Sequence, residues 1–569
     1  MAAEADSQAI RDPAAAAEEA AGAIAAPNPV LGISPRAVLG AATQWASTLA
    51  FHPDVVARET IRLAADTGRL LAGWNAEDPA TDRRFRHRAF TRQPYRFVAQ
   101  EYLAWRATLY RMVDRADVGE FTAERARFAV GLVAETLAPT NVLVGNPAAL
   151  ERAWTTRGRS LTTGARHLLD DLRHNGAMPA VARPGILSVG SDLAVTPGAV
   201  VHRHPMYELI QYSPQTKRVR AVPLLVVASP INKYYFLDLA PGRSLIEYAV
   251  RRGIQCFAIS WRNPTAAQRD WTLASYADAV DDASTAITAI TRSADTNVVG
   301  VCAGGTITAA WLGARAARHQ TPTPATTMLV AGIDTSWPSL FGALATRGTI
   351  AASLRRARRN GVFGGRDISR TFAWSRPNEL VWNLWVHNYL LGHDPPTTDI
   401  LAWNADLTNL PAGLHADLIR ILADNSFAEP GGVAVGGTPV DLAKIDSDVY
   451  VLGALADHIV PWQACYRSAQ LFSGHTRFVA ASGGHTQSLV NPPGNPRSRY
   501  RTGDDDLHDD PETWMHRATE HAGTWWDDWL DWLEARSGAT KVAPARLGAT
   551  SHPPLGSAPG RYVHQRAAA

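Results

Sequence analysis

Cysteine is scarce: Cys256, Cys302 and Cys465 are the only three in 569 residues. An odd, widely spaced set builds no disulfide framework and fits a reducing compartment. No CxxC pair and no HExxH occurs, so no metal is implied and no cofactor is expected. Net charge is also small, +3, which removes the electrostatic case for a nucleic-acid partner. No run reaches the roughly 18 apolar residues that a membrane span needs. The opening MAAEADSQAIRDP is acidic where a secretory signal begins basic, and no apolar segment of the required length follows. A cytoplasmic protein without a transmembrane segment is the expectation.

What is present is a large apolar fraction, 46%, enough for several cores in a chain whose length suggests more than one domain. Residues 1–29 are Ala-rich with few large apolar side chains, and read as a disordered tail. Residues 30–187 carry helical spacing, as in PDVVARETIRLAADTGRLLAG, and read as an α-rich N-terminal domain. Within it, Asp82–Arg88 (DRRFRHR) mixes basic and aromatic residues; a solvated loop with arginines paired to acids is preferred there over a nucleic-acid patch.

From about 188 the period changes. AVVHR and YELIQY suggest a hairpin, and strands then alternate with helices: AVPLLVVA, IQCFAISW, TNVVGV and TTMLVAGI are short, β-branched and apolar. That alternation predicts a doubly wound parallel sheet over 188–569. It stops between about 336 and 444, where aromatic helical text (ELVWNLWVHNYLL) predicts an inserted helical cap over the carboxyl ends of the strands. Trp382, Trp385, Tyr389 and Trp403 would line an apolar channel or form the cap's own core. Near the C-terminus, 511–536 places Trp525, Trp529 and Trp532 on one helical stripe, expected to dock on the sheet.

Between TNVVGV and an Ala-rich helix stands Gly300-Val301-Cys302-Ala303-Gly304-Gly305. Small residues around a nucleophile at a strand-to-helix turn make the elbow of the α/β-hydrolase fold. The competing reading is a tight turn with an inert, buried thiol. Downstream, Asp457 follows the strand DVYVLGA and His485 follows the next strand, giving the order nucleophile, acid, histidine. His485 would activate the thiol, Asp457 would fix its tautomer, and the Ala303 N–H would meet a tetrahedral oxyanion. A second donor is expected from the loop after AVPLLVVA, with Ile231 favoured and Asn232 second. His458 adjoins Asp457 too closely for an easy hydrogen bond and is assigned a supporting role. Cys256 and Cys465 lie in apolar patterns and are assigned to the core.

These stretches resemble the polyhydroxyalkanoate synthases. The resemblance runs from Asp82 to the closing APGRYVH and is carried by SDLAVTPGAVVHR, ELIQYSPQT, PINKYYFLDL, SWRNPTAAQRDW, GVCAGGT, RPNELVWNLWVHNYLLG, WNADLTNLP, DHIVPW and HTQSLVNPPGNPRSRY. It departs at Gly483-Gly484, where one Gly is usual, and at Ser229-Pro230, where the family usually has two prolines. The family's catalytic residues fall on Cys302, Asp457 and His485. The resemblance implies polymerisation of (R)-3-hydroxyacyl-CoA into polyester through an acyl-thioester on Cys302, with release of coenzyme A and no cofactor. It is greatest to the single-subunit enzymes for medium-chain monomers, and implies a homodimer at the surface of polyester granules. Two other classes stay open: a cysteine thioesterase or hydrolase with the same triad, and a non-catalytic granule-coat protein.

Overall fold

The computed structural model describes residues 49–74, 78–183, 185–503 and 507–567; the Ala-rich 1–29 stretch lies outside them. The chain forms two compact units, Met1–Arg183 with Ser369–Thr397, and Pro184–Ile368 with Thr398–Ala569. The expected insertion over 336–444 is therefore not one body, because its middle part belongs to the first unit.

In that first unit the helices Pro53–Leu71, Tyr95–Arg115, Glu120–Thr136, Pro147–Thr155 and Arg159–His174 follow the predicted helical text. Phe85, Phe90, Ala99 and Tyr102 form one cluster. Around it Arg84 pairs with Asp82 at 2.6 Å and with Glu135, while Arg88 reaches Glu151 at 2.7 Å; the Arg84 guanidinium also lies over the Phe85 and Tyr102 rings. The aromatic run, expected either to line an apolar channel or to form a core, is core here. Trp374, Val381 and Trp382 pack with Leu132, Trp385 Nε1 donates to the Asn141 carbonyl at 3.1 Å, and Tyr389 Oη donates to Asp171 Oδ2 at 2.7 Å. Two π-helical turns, Asn378–Trp382 and Val386–Leu390, carry Val381, Trp382 and Tyr389, with Trp385 in the α-helical turn Asn383–Trp385 between them.

The second unit is built on an eleven-stranded sheet. Its strands are β1 (Gly198–Arg203), β2 (Tyr207–Tyr212), β3 (Leu224–Val227), β4 (Cys256–Trp261), β5 (Asn297–Val301), β6 (Ala325–Leu329), β7 (Asp448–Ala454), β8 (Thr476–Ala481), β9 (Arg499–Thr502), β10 (Thr519–Ala522) and β11 (Gly556–Ser557). The spatial order is β10-β9-β8-β7-β6-β5-β3-β4-β2-β1-β11. From β8 to β4 the strands are parallel. Antiparallel strands finish both edges. Strands β3, β4, β5 and β6 are buried along their whole length, as continuous apolar text requires when helices cover both faces.

Four helices matter for the site: α1 (Leu273–Thr291), α2 (Ala303–Ala317), α3 (Trp462–Ala469) and α4 (Trp525–Glu534). The expected single helix over 511–536 is broken into a turn of helix at Pro511–Arg517, strand β10, and α4. Ala518 and Gly523 bound the strand, the second at φ +105°, a backbone that glycine adopts without a Cβ penalty. Trp525, Trp529 and Trp532 are buried in the main core, so the stripe docks on the sheet.

Candidate active site

Cys302 closes β5 and opens α2. Its backbone sits at φ +53°, ψ −123°, a conformation that costs a non-glycine residue roughly 1–3 kcal/mol and marks over-determined positions. Two glycines make the turn possible. A Cβ on Gly304 would stand 2.3 Å from the Val227 carbonyl oxygen, and one on Gly300 would stand 2.7 Å from the Gly305 Cα. The helix consequently presses against β3 and β5 with no side chain between. The Cys302 N–H donates to the Leu329 carbonyl at 3.0 Å, which pins the elbow to β6. Ala303 is the first residue of α2, so its N–H has no partner within the helix.

Asp457 lies in the loop after β7, its side chain fully enclosed. Its Oδ1 accepts from Ile459 N–H at 2.8 Å and Val460 N–H at 3.0 Å. Its Oδ2 meets His485 Nδ1 at 2.6 Å. A carboxylate accepts, so Nδ1 carries a proton, which leaves Nε2 as the ring nitrogen for a further partner. His485 begins the short helix His485–Leu489 and lies close enough to Cys302 for the two groups to interact electrostatically. Burial opposes the imidazole's charge, yet Asp457 and the Cys302 sulfur together push its pKa up to about 10. The three side chains stand in the order carboxylate, imidazole, thiol, with the acid bonded to the histidine 28 positions on.

The other cysteines are sealed. Cys256 in β4 and Cys465 in α3 are buried, and burial drives both thiols well above their ordinary pKa. Cys302 alone of the three is partly accessible. Ile231 and Asn232 lie in the loop after β3, the strand whose Val227 pairs with Gly300 of β5. The Ile231 N–H makes a 3.3 Å contact with its own loop's Ser229 Oγ. Among the described residues no group of three or more His, Cys, Asp or Glu side chains is arranged to hold a metal ion, and no helix is long and apolar enough to cross a membrane.

Residues 81–249 match the family model described as "Poly-beta-hydroxybutyrate polymerase (PhaC) N-terminus", and 236–492 match the alpha/beta hydrolase fold. Over 541 residues the chain is 42% identical to poly(3-hydroxyalkanoate) polymerase 1 of Ectopseudomonas oleovorans, covering 95% of this chain and 96% of that one. The chain belongs to the poly(3-hydroxyalkanoate) polymerase family. Polymerase 2 of the same organism is 41% identical over 95% of this chain and 96% of its own. The polymerase subunit PhaC of Cupriavidus necator is 38% identical over 86% and 84%.

In this polymerase-family chain some supports of the site had no sequence signal. Trp525 Nε1 donates to the Ser488 carbonyl at 2.7 Å and Trp526 Nε1 to the Leu489 carbonyl at 3.2 Å. Helix α4 thereby caps the far end of the turn that carries His485. A tryptophan stripe announces burial, but not which carbonyl each indole will find. The loop after β3 is held in the same unforeseen way: Thr408 Oγ1 donates to the Ile231 carbonyl, and Trp403 Nε1 to the Lys233 carbonyl at 2.9 Å. Trp403 thus braces a loop and packs on Phe236 at 5.1 Å.

Proposed function

We propose that this chain polymerises (R)-3-hydroxyacyl-CoA into polyester with Cys302 as nucleophile. The observation that carries the reading is the relay of Asp457, His485 and Cys302 at a strained elbow in a chain of this family. In the loading step the Cys302 sulfur, as thiolate with its proton already held on His485 Nε2, attacks the thioester carbonyl carbon. The Ala303 N–H receives the oxyanion, joined by the Ile231 N–H, which exchanges its long contact with Ser229 for the developing charge; Asn232 is the second candidate. Collapse expels the coenzyme A sulfur, which takes the proton from His485. One thioester is broken and one formed, so little free energy changes.

In the elongation step the 3-hydroxyl of a further hydroxyacyl group attacks the Cys302 thioester. Its proton goes to His485, the Cys302 sulfur leaves and recovers that proton, and an oxoester results. With Cys256 and Cys465 sealed, one sulfur serves both steps within the chain. Water at this site would turn the acyl-enzyme into free acid, so solvent exclusion decides between synthase and thioesterase.

The test is incubation of the protein with hydroxyacyl-CoA thioesters of four to twelve carbons, following coenzyme A release together with insoluble polymer. Polymer is expected; release with free acid alone would assign the site to a thioesterase, and neither product would remove the enzymatic reading. Medium-chain monomers are the proposed substrates. Each methylene buried contributes about 0.8 kcal/mol, so a pocket shaped for ten carbons should prefer that thioester over the four-carbon one by more than tenfold in kcat/KM. The growing polyester, its granule surface in the cytoplasm and a second copy of the chain are the proposed partners, checked by co-sedimentation with granules and by light scattering.

A further inference from the structure

Lys233 ends the loop that follows β3, and it is buried. Its Nζ donates to the main-chain carbonyl of Gln565 at 2.6 Å. Asn263 Nδ2 donates to the same carbonyl at 3.2 Å, and the Asn263 N–H donates to Gln565 Oε1 at 3.2 Å. The segment around Tyr562 is tied down as well: Arg561 and Tyr562 N–H donate to Glu208 Oε2 at 2.7 and 2.9 Å. Asp406 supplies the opposite charge facing Lys233, and accepts from Tyr235 Oη at 3.0 Å.

A buried ammonium is a costly way to fill space, since an apolar side chain of like volume would stabilise the fold at least as well. What the ammonium adds is direction. The loop Ser229–Lys233 is held on one side by Trp403, Thr408 and the Asn232–Leu407 bridge. Lys233 holds it on the other, against a segment more than three hundred residues away in sequence. The strand before the loop is the one against which the elbow glycine Gly304 packs, so a shift of the loop is a shift beside Cys302.

We propose that Lys233 is a positioning residue: by tying the Tyr562–Gln565 segment to the loop after β3, it fixes the amide that joins Ala303 in receiving the oxyanion. This rests on the reading of the site given above. The strap's hydrogen bonds join Lys233 and Asn263 to Gln565 and not to Cys302, Asp457 or His485, so it sets acyl transfer and leaves the reactivity of the Cys302 thiol alone.

The test compares Lys233→Met, Lys233→Arg, a chain ended at His564, and the Met variant combined with that truncation. Single-turnover acylation by a hydroxyacyl-CoA is measured beside alkylation of Cys302 by iodoacetamide and thermal melting. Misplacement of a catalytic group by about 1 Å costs about a hundredfold. Losses approaching that in kcat are expected for Lys233→Met and for the truncation, with KM and alkylation nearly unchanged. The combined variant should be no slower than either alone, because both cut one tie, and Lys233→Arg should recover part of the rate. Wild-type acylation in the folded Met variant and in the truncation, or losses that multiply, would overturn the proposal. If Lys233→Met does not fold, the truncated chain decides by the same criteria. Cys302→Ala run alongside separates the two levels: acyl label persisting there overturns the reading of the site, whereas label lost there with unimpaired acylation in the strap variants overturns the strap alone.

Discussion

Cys302 is held in a left-handed backbone that few side chains adopt, and the atoms around it leave little freedom for anything else. Its replacement by Ala should abolish acyl-enzyme and polymer together; mass spectrometry of the wild-type chain should find the acyl label on the Cys302 peptide, and label on Cys256 or Cys465 would refute the assignment. Asp457→Asn should retain a fraction of acylation, since the imidazole persists with a poorly fixed tautomer, at a cost on the order of 10⁴ in kcat if the carboxylate acts as in serine triads. His485 also links the site to pH. Its pKa is raised when folded, to about 10, against an ordinary value of about 6.5. The charged imidazole therefore contributes stability that is complete below about pH 6.5 and is lost as pH rises through about 10. The melting-temperature gap between the wild type and His485→Gln should be widest near pH 6 and should shrink on going to pH 10. A gap that is constant with pH would show that the imidazole is not charged in the folded chain.

At the scale of elements, the elbow depends on close approach. Gly304→Ala places a methyl against the Val227 carbonyl, a backbone atom that cannot swing aside, so a loss of about 1–3 kcal/mol is expected, visible as a lower denaturation midpoint together with lost acylation. Helix α4 gives a subtler case. Trp525→Phe keeps the buried ring but leaves the Ser488 carbonyl without its indole donor, an expected cost of about 1–3 kcal/mol, with slower acylation because the His485 turn is loosened. Equal acylation rates in the two proteins would confine Trp525 to packing. The parallel strands, the elbow and the order of Cys302, Asp457 and His485 were legible because each is written in local text: β-branched runs, glycines around a small nucleophile, a polar residue just past a strand. The break at β10 was not legible. ETWMHRATEHAG has no strand period strong enough to oppose the helical spacing on either side, and only pairing with β9 makes it a strand.

For the whole molecule, the sequence did not show which aromatic run belongs to which core. The spacing of ELVWNLWVHNYLL says that one face is apolar but says nothing of its partner, and the partner proves to be Leu132 and its neighbours in the first unit. That unit is therefore discontinuous, and a fragment of residues 49–183 should expose the face around Phe128 and Leu132. It is expected to bind a hydrophobic dye and to melt without cooperativity, whereas the same fragment joined through a flexible linker to residues 369–397 should melt cooperatively. Equal behaviour of the two fragments would show that the second segment is dispensable.

The discontinuity also sets a clock. The ribosome finishes Arg183 long before Thr397, and the intervening chain of roughly 200 residues takes about 10–40 s at ~5–20 residues per second. For that interval the earlier helices wait beside the exit tunnel with their apolar face uncovered, while β1 to β6 emerge and begin to pair. The unit that holds the helices before Arg183 is thus completed only after the elbow with Cys302 has been synthesised, and synonymous codons that slow translation between 184 and 368 should lengthen the wait and raise the fraction captured by chaperones.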